Sequence, residues 1–211
     1  MKRPLYLLLI ALILPAGFGC DGGTGADDDG GGGDGDKTLS WALAKTDPLA
    51  DAWDAANKLV GLVGLWVDEN GALDEQPDNP AWAALYTNQA ADAGYGVLVH
   101  YDGATESDIE EGPPDLTVEI EPPADDKVDD LIDAAVEALE SHPEPLEAYD
   151  YAFWVGYDDQ LTQGVVAMVS FYAETDQDTQ YDEDYFDLPE PYAYVILDLE
   201  TELILWRSWL F

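Results

Sequence analysis

Beyond residue 45, apolar positions recur at two spacings, and the way the two alternate predicts the fold. Asp47-Pro48 reads as a helix start, with Asp at the N-cap and Pro in the first turn. Leu49, Ala52, Trp53, Ala56 and Val60 then recur at helical spacing. Strand text follows over 62–68 and runs into Glu69-Asn70-Gly71, where Asn-Gly favours a tight hairpin turn. Apolar runs over 81–86 and 95–101 extend this into an antiparallel meander. A short strand is predicted over 116–121, ahead of the break at Pro122-Pro123.

The strongest helical stripe comes next, formed by Val128, Leu131, Ile132, Ala135, Val136 and Leu139. Asp125 and Asp126 suit its N-terminal dipole, and His142-Pro143 ends it. Runs rich in aromatic and β-branched residues over 149–157, 165–173, 192–199 and 203–210 predict further strands. The order α-β-β-β thus recurs. It predicts an α+β fold, an antiparallel sheet with helices packed on one face, in two tandem units over 45–121 and 122–211.

The chain before this domain follows another pattern. Residues 5–14 are almost wholly apolar behind Lys2 and Arg3. That run is about half of the ~20 residues a membrane-crossing helix needs, which predicts a cleavable signal peptide over 1–19. Cys20, the single cysteine, follows Gly17-Phe18-Gly19. The segment resembles a lipobox, the site at which bacterial lipoproteins are acylated on cysteine and cut. It departs from that pattern at Gly17, where Leu is usual, and at Phe18, where a small residue is usual. The resemblance implies palmitate-type acylation of Cys20 and a membrane partner through the lipid anchor. Ordinary secretion with a free thiol is the competing reading. Asp21 resembles an inner-membrane retention signal of enteric bacteria, a rule that varies among bacteria. Residues 21–36 contain only Gly, Asp, Thr and Ala. They cannot bury enough apolar surface to offset chain entropy, and so read as a disordered tether between Cys20 and a folded domain over 37–211. At ~3.3 Å per residue the tether reaches at most about 50 Å. A calcium-binding role for it competes weakly, because no side chains order the ligands.

Charge narrows the partners. The chain carries 46 acids and 7 bases, a formal −39. Removal of Lys2 and Arg3 with the leader leaves Lys37, Lys45, Lys58, Lys127 and Arg207 as the only bases. Nucleic acid is excluded as a partner, since each phosphate would be repelled. Two accounts of the acidity stand: solubility in a salty environment, or a surface for cations or basic partners. The spread of acids along the whole chain favours the first. With no cysteine beyond Cys20, the domain has no internal disulfide and depends on its core.

A family resemblance enters at the end of the chain. Tyr194-Val195-Ile196-Leu197-Asp198-Leu199-Glu200-Thr201-Glu202-Leu203 resembles the close of a PepSY-type repeat, where a strand runs into Asp-x-x-Thr-Gly-Glu-Val and turns back. Glu202 stands where that pattern has Gly. The stretch from Trp53 through Val67-Asp68 and Gly71 to Val97 and Gly103 is similar to modules of envelope lipoproteins. The resemblance implies a binding module for an envelope protein or peptide and names no site residues.

Catalytic chemistry finds little support in the residue pattern. A nucleophile needs a base beside it, and the only histidines are His100, in a strand pattern, and His142, at a helix end. Both read as structural, and two histidines in separate elements do not make a zinc site. No phosphate-binding glycine loop lies between a strand and a helix, so no cofactor is expected. Asp176, Asp178, Asp182 and Asp184, with Glu183 and Asp187, make a weak calcium candidate that lacks EF-hand spacing. A solvated acidic loop is its plain alternative. Trp53, Trp66, Trp82 and Trp154 read as core, and Trp206, Trp209 and Leu210 as the candidates for exposed contact, with Trp206 and Trp209 facing opposite ways in alternation so that one packs inward. The expectation is therefore a lipid-anchored cell-envelope protein, facing the periplasm or exterior, with a non-catalytic binding module. A carboxylate-dependent hydrolase and a structural envelope component are the alternatives.

Overall fold

The computed structural model describes residues 36–75, 80–111, 114, 116–140, 151–172 and 191–209. Its elements run α1 (Leu39–Trp53), β1 (Lys58–Val67), β2 (Ala81–Thr87), β3 (Ala93–His100), β4 (Thr105–Glu111), α2 (Asp125–Glu140), β5 (Tyr151–Asp158), β6 (Gly164–Phe171), β7 (Ala193–Asp198) and β8 (Ile204–Trp209). The fold is α+β. The strands form one antiparallel sheet in the order β4-β3-β2-β1-β5-β6-β7-β8. Each half is a helix followed by a four-stranded meander, one strand more than the α-β-β-β unit expected. The meanders run outward in opposite directions from the central β1–β5 pair, so the two halves share a single sheet.

Both helices pack on one face of that sheet. Leu39 and Ala42 of α1 and Val128, Leu131, Ile132, Ala135 and Leu139 of α2 meet Leu62, Trp82, Val97, Phe153, Val169 and Val195 in the main core. Trp53 at the end of α1 stacks on Tyr95 of β3, ring centroids 5.1 Å apart. Alternate strand residues point to the second face, where Val63, Leu65, Leu98, Trp154, Met168 and Ile196 form smaller apolar groups. Burial on both faces is why β1 and β5 read as continuous apolar runs. Glycine admits two indoles. A Cβ on Gly64 would lie 2.6 Å from the Trp82 ring, and one on Gly156 2.3 Å from the Trp154 ring.

The sequence-based bounds need three corrections. Helix α1 begins at Leu39, so Asp47 is no cap and Pro48 lies inside the helix. Of the stripe assigned to it, Ala52 is exposed, Ala56 sits in the following turn and Val60 belongs to β1. Residues 116–121 are not a strand. They belong to the connector from β4 to α2, which crosses the second face. A Cβ on Gly94 would meet Pro114 at 3.5 Å, and one on Gly61 would meet Leu116 at 3.2 Å. The connector then rounds the sheet end, where Ile120 N–H donates to Leu59 O and Ile120 enters the main core. The third correction adds β4 (TESDIEE), which no apolar pattern marks.

Candidate functional site

Several of the described carboxylates hold the backbone in turns. Oδ1 of Asp68 accepts from Asn70 N–H and Ala72 N–H at the β1–β2 hairpin. Asp54, Asp102 and Asp158 do the same for turn amides two or three residues on. Asp198 Oδ1 accepts from Thr201 N–H at 2.8 Å and Thr201 Oγ1 at 2.7 Å. Those donors hold its carboxyl below the usual range. The same turn puts Glu202 at φ 59°, a left-handed conformation that L side chains adopt at a cost. Glu202 also pairs with Lys127 of α2.

Asp125, in the first turn of α2, serves the other helix. Its carboxylate accepts from Ser40 N–H at 2.9 Å, from Ser40 Oγ at 2.5 Å and from Thr38 Oγ1 at 2.8 Å. Thr38, the N-cap of α1, makes no side-chain bond to a backbone amide of its own helix; its hydroxyl lies 3.2 Å from Ser40 Oγ. Asp125 thus ties the N-termini of both helices together. One turn on, Asp129 is pushed above the usual carboxylate range by burial and by the charges of Asp68, Asp125, Asp130 and Asp133. Its Oδ1 is buried and has no hydrogen-bond partner among the described residues.

His100 Nε2 lies 3.4 Å from Glu106 Oε1 of the neighbouring strand, a cross-strand contact. His142, Leu210, the calcium candidates Asp176, Asp178, Asp182 and Asp184, and Cys20 lie outside the described residues. Among the described residues no three of His, Cys, Asp and Glu converge as metal ligands, and no helix is long and apolar enough to cross a membrane.

The aromatic candidates separate more sharply. Trp66 and Trp82 are each 1% exposed and Trp154 is 7% exposed, buried as their patterns predict. On the second face one register row crosses the whole sheet: Glu106, Leu98, Ala83, Val63, Trp154, Met168, Ile196 and Trp206. It ends in an acid on edge strand β4 and in Trp206, 52% exposed, on edge strand β8. Beside Trp206 a bulge shifts the β7–β8 register between Ile196 and Leu197. Leu203 and Ile204 there are also exposed, while Leu205 packs onto the second face. Trp209 pairs with Ala193 in the register. The sequence singled out Trp206 and missed Leu203 and Ile204. The signal for them was present, since from Leu203 to Phe211 no residue is acidic in a chain otherwise dense in acids.

No family model, curated protein or solved structure matches this chain.

Proposed function

We propose that the protein is a lipid-anchored component of the cell envelope whose α+β domain acts by non-catalytic binding. The anchor rests on the sequence around Cys20, where a short apolar leader precedes a lone cysteine and a glycine-aspartate tract. One observation carries the binding role: the apolar row from Leu98 to Ile196 on the second face ends at exposed Trp206, on a strand that also carries exposed Ile204 and has no neighbouring strand on its outer side among the described residues. Large apolar side chains exposed on both faces of one edge strand suit an interaction surface. The PepSY-like ending of the chain favours the same role.

Each part has its own test. Cys20→Ser moves the protein from the membrane to the soluble fraction and removes the acyl mass from the mature product; an unacylated Cys20 in the parent protein overturns the anchor. The tagged domain, incubated with envelope extract over a range of salt concentrations, retains a specific partner. Recovery of none at any salt overturns the binding role.

A further inference from the structure

We propose that the outer edge of β8 is a docking edge for an extended, positively charged segment of a partner protein, which joins the sheet as an additional strand. This names the surface and partner chemistry of the binding role above and rests on that reading. The sheet has two edges, and they are built in opposite ways. Edge strand β4 carries Glu106, Asp108 and Glu110, all exposed. Charges so placed block a strand from adding. Edge strand β8 carries exposed Ile204 and Trp206 and no acid. Among the described residues no strand pairs with its outer side, and its outward backbone groups offer the ladder by which extended peptides add to sheets, with side chains on both faces to read alternate residues.

Charge selects the occupant. The hairpin that leads into β8 holds Asp198, Glu200 and Glu202. Two bases lie nearby, and Arg207 on β8 is exposed. Arg207 Nη1 donates to Ala138 O at 2.7 Å, and Lys127 pairs with Glu202. A cationic strand therefore meets the carboxylates of Asp198 and Glu200 at one end, on a chain of formal −39, and the indole face of Trp206 at its middle, where a Lys or Arg gains a cation–π contact. A second copy of this chain would instead bring its own formal −39 to the edge.

The test titrates the full chain with an alternating Lys-Val peptide of strand length and with its Glu-Val counterpart, following tryptophan fluorescence and amide exchange. Lys-Val binding is expected to saturate, to slow exchange in 204–209, and to exceed Glu-Val binding by at least about tenfold. Trp206→Lys and Ile204→Lys each weaken it by about tenfold while the circular dichroism and melting temperature stay unchanged. Ile109→Lys, which makes the same charge change on the β4 edge, leaves it intact. Equal binding by Trp206→Lys, protection elsewhere than β8, equal binding of both peptides, or a dimer that Trp206→Lys dissociates would each overturn the proposal. An envelope partner held as firmly by Trp206→Lys as by the parent chain overturns the edge and leaves the binding role standing; the absence of any partner for either chain overturns the role itself.

Discussion

The hydroxyl of Tyr86 joins α1 to strand β2. It lies 2.7 Å from Thr46 Oγ1, which is fully buried, and donates to Asp47 Oδ1 at 2.8 Å. Burial, first of all, raises its pKa well above the ordinary tyrosine value, so it remains a donor at any working pH. Tyr86→Phe leaves Thr46 without that partner, and a loss of about 1–3 kcal/mol in denaturant unfolding is expected. Two acids respond to pH in opposite senses. The raised value of Asp129 means that folding favours its protonated form, so its contribution is present in acid and lost as pH rises through the folded value. Asp129→Asn should therefore stabilise at neutral pH, by roughly 0.4–1 kcal/mol from two like-charge pairs at helical spacing, with Asp125 and Asp133. The gain should vanish near pH 3. Asp198 has a lowered value, so its contribution is present above the ordinary carboxylate range and lost as pH falls through the folded value. Asp198→Ala should cost stability at neutral pH and nothing in strong acid. Thermal melts across pH separate the two, and parallel curves for both variants would contradict the assignment.

At the scale of elements, Asp125 is the joint between the halves. Asp125→Ala removes the acceptor for Ser40 N–H and for two hydroxyls at the start of α1. A lost cap costs about 0.5–2 kcal/mol, and amide exchange should quicken in the first turn of α1 while the centre of α2 stays protected. Sequence could not show this joint, because 85 residues separate its partners and no periodicity links them. What periodicity could show, it showed. Helix α2 was legible from a stripe with one buried face, and β2, β3 and β5–β8 from aromatic and β-branched runs. Strand β4 was not, because an exposed edge strand has little apolar alternation to display. Residues 116–120 do alternate, Leu116 against the sheet, Val118 41% exposed and Ile120 in the core, and the connector uses that alternation without pairing as a strand. Helix α1 was misplaced because Asp47-Pro48 mimics a start, whereas Pro48 falls inside a helix already under way. The same limit applies to β8: its aromatic content was readable, but its place at the sheet edge is a property of strand order.

On the scale of the whole molecule, charge sets how the fold meets its medium. A formal −39 on a chain of 211 residues works against compaction, since folding brings like charges closer than the unfolded chain does. The described ion pairs, Lys58 with Glu119 and Lys127 with Glu202, engage only a small part of that excess. Screening shortens from ~10 Å at 0.1 M salt to ~3 Å at 1 M, so most repulsion between exposed acids is removed over that interval. The melting temperature should then rise by roughly 5 °C, equivalent to about 1–2 kcal/mol for a domain of this size. Sodium and potassium chloride should act alike, with the gain levelling off once the screening length falls below the spacing of neighbouring carboxylates. The rival account of the acidity, a surface that collects particular cations, has a different signature. Millimolar calcium at constant ionic strength would reproduce most of the stabilisation, because a coordinated divalent ion acts by mass action on the folded state and not by screening. Melts in sodium chloride, potassium chloride and ionic-strength-matched calcium chloride distinguish the two, and a calcium effect that matches 1 M sodium chloride would move the explanation from general repulsion to defined sites.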